Sequence, residues 1–531
     1  MPVPESIRRV PRPKNTVVID SGHDGPQRYA VRQRAGVKYG PQGQARPING
    51  SVIGHICGGS FVPLGQITRT GADGPDVRSY GAAAFVHSEG ADILQHLLSV
   101  YLPQDAYAIL VIAMLRAIKP EIKNRRLSTE YNRTFIGQFY PGVHVSENRV
   151  SKLLNLLGQD GVKREAFYQL RLAAVEATHH LVIDGVLKQD TSTINSLSAF
   201  SYKGRVKGCR DISVIYAYDL EKMEPVCAEA FAGNCIDASA FAAFIRDRDI
   251  QRGIIVADKG FPPSKISAEL QARPGLHFLI PIKRSDHRIK SNGLLDFQGV
   301  ISGIDRQVGY CKRQIRGGRF LYAYKDFAKA RAEEWTFLER MKKDPTLTQD
   351  VFSQKSGFFG VIVLESDQDL SPLDAYLCYE DRWQIELVFD SFKNDEGLDR
   401  TDVQGDYSVW GNEFINFIAT VLTCRMKRRA QRAGLLAKSS FKDLLEDLAC
   451  AWRKAKSPIP PKSGDEYWQA DFVGLFTRLE ALNLSTPGEN SKAPQLVTPS
   501  GVVIPRKSGR PLTRPVFVGP KRPRGRPRRV D

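Results

Sequence analysis

Apolar positions change their spacing several times along the chain, and each change predicts a different kind of element. Through residue 90 they come in short pieces, such as Val52–Ile56, within a background rich in Gly, Pro and Arg. That pattern predicts a loosely strand-containing N-terminal segment with no evident job. From 91 to 178 the spacing is helical. Asp105–Ile118 is apolar and compact, and Glu165–Thr178 is amphipathic. Ser128 can cap a short helix with Glu130 in its first turn, and Ser146 can cap Glu147–Leu157, which then ends at Gly158. With Arg149 and Lys152 exposed on one helix, the bundle fits a helix-turn-helix-like DNA-binding region or a plain helical adaptor equally well.

From His180 the pattern becomes strand-like. His180–Gly185 is an apolar run that ends on Asp184 and Gly185. Ile212–Tyr218 and Pro225–Phe231 follow as strands, with Asp219 in the turn between them. Asp237 can cap a helix over Ala238–Ile245. The run Gly253–Ala257 leads to Asp258, Lys259, Gly260 and Phe261, and His277–Ile282 is one strand more. The order is β-β-β-α-β-α-β, a mixed sheet with helices packed on it. Residues 283–371 then carry strand patterns at Tyr310–Ile315, Phe320–Tyr324 and Gly357–Leu364, and a charged helix near Lys329–Lys343. They read as a β-rich insertion. Helices are expected at Val409–Arg429, Phe441–Lys454 and Trp468–Leu482. Residues 485–531 have little apolar content and much Pro, Gly and Arg, the composition of a disordered tail.

Between the insertion and Val409 lies the most unusual stretch, Tyr379–Lys393. It holds no Gly or Pro, and Ser371-Pro372 upstream is a helix-start signal. At about 100° per residue, Arg382, Glu386 and Lys393 fall within roughly 60° of Tyr379, while Val388 and Phe392 point away. A phenol, a guanidinium, a carboxylate and an ammonium therefore share one face. Such a stripe on a single helix fits a solvated surface, so its meaning depends on what it faces.

Charge narrows the choice. The chain has 76 basic and 58 acidic residues, a net of +18, which favours a polyanionic partner. Residues 501–531 contain ten Arg or Lys against the single acid Asp531. Eight cysteines form no CxxC pair and no zinc-like cluster, the usage of reduced thiols in the cytoplasm. No signal peptide is evident at the N-terminus. The longest apolar run, Ala106–Leu115, is too short to span a bilayer, so no membrane association is expected.

If the strands before Asp184 and Asp258 are neighbours, two carboxylates meet at one sheet edge, where sites form in such folds. Glu386 lies on a helix able to cover that edge. Three carboxylates at one point repel unless a cation holds them. Oxygen donors suit Mg²⁺, with Mn²⁺ as a substitute. Two such ions about 4 Å apart can activate a water or a 3′-hydroxyl at a phosphodiester. Arg382 and Lys393 would then hold phosphates, and Tyr379 could donate to a phosphate oxygen. Singly, an Asp before Gly is a turn residue and a helical Glu is solvated; the set as a whole carries the reading.

Tyr379, Arg382, Glu386 and Lys393 reproduce the Y-(2)-R-(3)-E-(6)-K spacing of the insertion-sequence-four (IS-four) superfamily of DDE transposases. Asp258-Lys259-Gly260-Phe261 resembles that family's second-aspartate motif and Ile183-Asp184-Gly185 its first. The resemblance covers roughly residues 145–430. The length and the run from Tyr379 to Glu386 are similar to the long IS-sixteen-thirty-four-type members. Val186 departs from the pattern, where the family often has Thr. The resemblance implies an RNase H-like core in two parts, 179–282 and 372–430, separated by the insertion. The 128 positions from Asp258 to Glu386 leave room for it. It implies Asp184, Asp258 and Glu386 as catalytic metal ligands, cleavage of double-stranded DNA at transposon ends, strand transfer into a target, and a homodimer working on DNA. It matches Arg382 and Lys393 to DNA contacts and Tyr379 to a phosphate contact. A cytoplasmic, nucleoid-associated protein follows. In relatives an aromatic residue of the insertion stacks on a flipped base. Trp335, the only Trp in the insertion, is the candidate, although a small hydrophobic core there is the preferred reading. His179 and His180 read as structural or solvated rather than as metal ligands.

In the tail, Pro523–Arg529 contains Arg524-Gly525-Arg526-Pro527, the core of an AT-hook whose Arg524 and Arg526 would enter a narrow minor groove. Arg506–Pro511 is a weaker second copy. An unstructured tail binding phosphates without sequence preference fits the same residues. Two alternatives to a transposase stay open: a related metal-dependent nuclease without strand transfer, and a DNA-binding relic without chemistry.

Overall fold

A computed structural model describes residues 3–22, 28–39, 43–63, 77–192, 194–201, 204, 208–235, 238–258, 261, 263–382, 385, 400–401, 403–455, 468–470, 474–486 and 495–496. The chain divides into two units, Met1–Asp76 and Val77–Asp531. The boundary thus falls ahead of the expected residue 90, because the apolar helix Gly81–Ser88 is buried in the second unit.

The first unit is an antiparallel meander of β1 (Thr16–Asp20), β2 (Tyr29–Tyr39), β3 (Ala45–Cys57) and β4 (Ser60–Pro63). Gly58 and Gly59 form the β3–β4 turn, both at positive φ (54° and 77°), as a two-residue hairpin of this hand requires. Its core is small, with Val10, Val18, Val31 and Ile56 buried.

In the second unit the helices lie where the apolar spacing places them, with shifted ends. We label α1 (Pro103–Ile118), α2 (Glu147–Gln159) and α3 (Gly161–Leu172). Two predicted caps are not made. Leu127–Arg133 begins one residue before Ser128, and Ser146 sits at the start of α2 without a side-chain cap bond. Gly158 does not end α2 but lies inside it, at a helix crossing. Arg149 is paired with Asp105 at 2.8 Å, while Lys152 is exposed.

The eleven-stranded mixed sheet contains β6 (His180–Asp190), β7 (Ala199–Phe200), β8 (Arg210–Asp219), β9 (Glu224–Ala232), β10 (Arg252–Val256) and β11 (Gly275–Pro281). A short β5 (Val77–Ser79) precedes them and belongs elsewhere. β6 runs antiparallel to β8 and parallel to β10, and β10 runs parallel to β11. The expected β-β-β-α-β-α-β order is present, with helices at Ala238–Asp247 and Ser267–Ala272; Asp237 lies outside the described residues. One boundary is corrected. β6 does not stop at Asp184-Gly185 but continues to Asp190, because β8 pairs with it along its length and Val186 and Lys188 are buried.

The expected insertion extends this sheet. β12 (Gly299–Val300), β13 (Val308–Ile315), β14 (Arg319–Asp326) and β15 (Val361–Ser366) add on antiparallel, with β15 between β11 and β14. Asp326 caps the charged helix α4 (Phe327–Met341) by accepting from the N–H groups of Ala328 and Lys329. Helix α5 (Pro372–Asp381) starts as expected: Pro372 is its first residue, and the Ser371 hydroxyl accepts from the Asp374 N–H. β16 (Arg400–Thr401) pairs with β6.

Helix α6 (Asp406–Arg432) is buried on nearly all sides because it lies between the helices and the sheet, against α1, α2 and β9. Its crossing with α2 is close. A Cβ on Gly158 would overlap the Tyr407 carbonyl, and one on Gly411 would overlap that of Leu154. One buried carboxylate ties the layers. Glu224 on β9 accepts from Arg171 of α3 at 2.7 Å and from Arg425 of α6 at 2.6 Å, and Arg425 also grips Asp92 of the helix Ala91–Val100 at 2.6 Å. Burial pushes the Glu224 carboxyl up, but the two guanidinium groups outweigh it and hold the group below its ordinary value.

The C-terminal part departs from two helix expectations. Phe441–Lys454 is a helix only through Ala449, capped by Ser440 and Asp443, and continues as β17 (Ala451–Lys454). Trp468–Ala470 is β18, and the helix is confined to Leu475–Ala481. The cause is tertiary pairing: β5 and β18 flank β17, and β19 (Gln495–Leu496) joins β18. Those two residues are strand, where a disordered tail is expected; the basic stretch 501–531 lies outside the described residues. Among the described residues no helix is long and apolar enough to cross a membrane.

Two stability predictions follow. Gly411→Ala forces α2 and α6 apart and should cost about 1–3 kcal/mol, measured by denaturant unfolding. The depressed carboxyl of Glu224 favours folding above its unfolded pKa of about 4.3, and that contribution is lost as pH falls through the lower folded value. Acid unfolding followed by circular dichroism should therefore depend less on pH in Glu224→Gln, which should also be less stable at pH 7.

Candidate active site

The sequence places an aspartate after each of two apolar strands, and the sheet makes those strands neighbours. β6 and β10 pair in parallel, with Val182 opposite Val256 as their last rung. Asp184 and Asp258 each lie two residues beyond it, at equivalent positions of the shared register. Both are half-buried. The Asp184 carboxylate accepts from the Gly185 N–H at 2.8 Å. After Asp258 the chain turns back, with the Phe261 N–H donating to the Asp258 carbonyl at 3.0 Å. The Phe261 ring stacks on Phe241 at 4.3 Å, which anchors this turn in the core. Lys259 and Gly260 lie outside the described residues.

Helix α5 approaches the same edge. Tyr379 is half-buried in its last turn, and the Arg382 guanidinium lies 5.5 Å from its ring centre. Burial raises the phenol's pKa; Arg382 opposes that rise and the negative charge of Asp258 adds to it. Asp258 is therefore within electrostatic reach of Tyr379. Arg382 follows α5 in a helical conformation, and Ile385 is buried. Glu386 and Lys393 lie outside the described residues, as do Arg524 and Arg526.

Tyr379 and Arg382 also line a cleft of about 570 Å³ against the segment 283–371. Arg306 and Lys329 reach across it to Glu380 at 2.8 and 3.3 Å, and Arg284 pairs with Glu333 at 2.8 and 2.9 Å. Sequence reasoning missed these cations. Single basic residues on different elements have no spacing that betrays a shared cleft. Trp335 corrects the preferred reading: it is 68% exposed on α4, so it is no part of a core. The small core there is made by Phe337, Phe359 and Ala330 instead.

His179 and His180 are both paired with acids. His179 Nδ1 lies 2.8 Å from Asp219, and His180 Nδ1 lies 2.6 Å from Glu221. His179, Asp219 and Glu221 offer one nitrogen and two carboxylate donors within 4.8 Å of one another, a set able to hold a cation. The sequence reading missed this grouping, although Asp219, read there as a turn residue and here the last residue of β8, was its visible part. It sits at the start of β6, where Leu181 faces Asp219, and not on the rung of Asp184, which faces Tyr216.

No curated protein matches the chain. Among solved structures, the chain is similar to a piggyBac transposase, determined by cryo-electron microscopy as a synaptic complex with hairpin DNA. The identity is 12%, the TM-score 0.35, and the likeness covers 72% of this chain and 81% of that one. Residues 174–422, which span β6, β10, the intervening strands, α5 and the first part of α6, match the family model of the transposase DDE domain.

Proposed function

We propose that the chain is a DDE transposase of the IS-four superfamily, with Asp184, Asp258 and Glu386 as its catalytic carboxylates. The observation that supports this reading is the β6–β10 register, in which Asp184 and Asp258 each follow the last shared rung by two residues, with Tyr379 of α5 within electrostatic reach of Asp258. The sheet order β9-β8-β6-β10-β11 supports an RNase H-like core as part of the same reading.

The donor set of this reading fits a hard divalent cation such as Mg²⁺: the carboxylates of Asp184 and Asp258, with Glu386 as the proposed third, and no sulfur or nitrogen among them. When bound, such ions supply Lewis acidity at the scissile phosphodiester and lower the pKa of the attacking water or hydroxyl. The chain's own residues do the rest. Asp184 is oriented by the Gly185 N–H, and the turn after Asp258 is held by Phe261. Tyr379, kept neutral by burial and by Asp258, can donate a hydrogen bond to a phosphate oxygen. Arg382 offers a planar fork to a neighbouring phosphate. Lys393, which the sequence spacing assigns to the same stripe, would add a further phosphate contact. Exposed Trp335 is available to stack on an unpaired base. Strand transfer into target DNA and a dimer on the DNA belong to this reading; the basic tail with Arg524 and Arg526 would add salt-sensitive affinity.

The test uses DNA carrying the gene's own flanking ends, with Mg²⁺, Mn²⁺ or EDTA. Cleavage and joining should require metal. Asp184→Asn, Asp258→Asn and Glu386→Gln each withdraw several kcal/mol of charge stabilisation, so cutting should fall by about three orders of magnitude. Cutting without joining would favour the nuclease alternative, and tight binding without cutting in either metal would refute catalysis. Trp335→Ala should change unfolding stability by less than about 0.5 kcal/mol. It should weaken a stacked base contact by about 1–3 kcal/mol, read as affinity for ends with an unpaired base.

A further inference from the structure

The N-terminal unit has a feature that its own fold does not use. β2 pairs with β1 only as far as Gln33, opposite Thr16. β3 pairs with β4 only from Gly54 onward. Between these limits Arg34–Tyr39 and Ala45–Asn49 pair with each other as a two-stranded ribbon, tied to the strand beside it only at its base, where the Arg34 N–H donates to the Asn15 carbonyl at 3.0 Å. Register shifts at its base, between Val31 and Gly36, add twist. The ribbon covers no core: Val37, Tyr39 and Ile48 are 54%, 70% and 46% exposed. A lone two-stranded ribbon is marginal in water, so a partner is expected to lie against it.

Charge identifies that partner. From Gly25 to Ala72 the sequence has no acidic residue and six basic ones, Arg28, Arg32, Arg34, Lys38, Arg46 and Arg69. Two of the six are held within the unit: Arg28 pairs with Asp20 at 3.3 Å, and Arg32 donates to the Gly50 carbonyl. Arg34 and Lys38 are exposed, and among the described residues neither meets a carboxylate. The register sets Lys38 opposite Arg46, so one rung carries two basic residues. Like charges so placed weaken a ladder unless an anion lies across them. Pairing of the ribbon's edge with a second copy is disfavoured, because Pro47 interrupts one edge and Lys38 charges the other. A ribbon of six residues is about 20 Å long. The major groove of B-DNA admits a two-stranded ribbon.

We propose that this ribbon is a DNA-docking arm that lies in the major groove and contacts phosphates through Arg34 and Lys38. The proposal rests on the transposase reading for the class of partner and adds a contact outside the DDE domain.

The test measures binding of the full chain to a random-sequence duplex in EDTA across a salt series, so it does not depend on cleavage. Each phosphate contact contributes about 0.9 to the slope of log K against log salt. The double variant Arg34→Gln, Lys38→Gln should therefore flatten the slope by about 2. Lys38→Gln alone, a change at one exposed side chain, should flatten it by about 1 and guards against misfolding of the double variant. Arg524→Gln with Arg526→Gln provides a tail control whose effect should add to that of the ribbon. An unchanged slope in both ribbon variants overturns the proposal. So does an altered sedimentation coefficient of the free protein with an unchanged slope, which would make the ribbon a contact between copies. Cleavage at the ends by a protein with an unaltered slope would leave the transposase reading standing and refute only the arm.

Discussion

Parallel pairing of two short strands sets the geometry on which the candidate site depends. β6 and β10 share only three rungs, His180 with Ile254, Leu181 with Ile255 and Val182 with Val256. Because a strand's side chains alternate, a slip of one residue would turn Asp258 to the opposite face from Asp184. The buried apolar side chains of both strands prevent that slip: Leu181, Val182, Ile183, Ile255 and Val256 are all essentially inaccessible. The position of the carboxylates is thus a by-product of hydrophobic burial a few residues away.

The layers around the sheet hold β6 in place from the other side. Lys188, buried on the same face of β6 as Asp184, pairs with the buried Glu413 of α6. α6 is held in turn by its glycine crossing with α2 and by the Arg425 contacts to Glu224 and Asp92. Removing one partner from such a buried pair leaves a charge without solvent or counter-ion, so each ion pair specifies a position more than it adds stability. The helical segment ahead of the sheet is therefore a packed part of its architecture, whatever else it contacts.

Much of this arrangement is legible in the sequence because it rests on local signals. Apolar runs ending in Asp give β6 and β10, Ser371-Pro372 gives the start of α5, and the charged stretch near Lys329–Lys343 gives α4, whose cap Asp326 went unread. The misreadings share a cause: a tertiary contact overrides a local stop or start. Gly158 reads as a helix end, yet it is the point where α6 passes close by. Gly185 reads as a strand end, but β8 supplies partners beyond it. Trp468 reads as helical until β17 pairs with it. Trp335 reads as core because Trp is large and apolar, while its neighbours Phe337 and Phe359 fill that space. The cleft cations Arg284, Arg306 and Lys329 come from three separate elements, so no spacing in the sequence joins them. The N-terminal segment is legible only as loosely strand-containing; the two-stranded ribbon within it is not.

The small sheet that joins β5 to β17 has a consequence for synthesis. The Ser79 hydroxyl donates to the Ala449 carbonyl at 2.7 Å, a contact between residues 370 positions apart, and Val77–Ser79 pairs with Trp452–Lys454. A nascent chain emerges at about 5–20 residues per second. The opening strand of this unit therefore waits on the order of 20–70 seconds for its partner. During that interval the apolar helix Gly81–Ser88, whose Gly81 packs against the Leu448 carbonyl in the finished fold, lacks that cover. The strand pair can close only after Lys454 has been made, so the long-range contacts of this unit form late in synthesis.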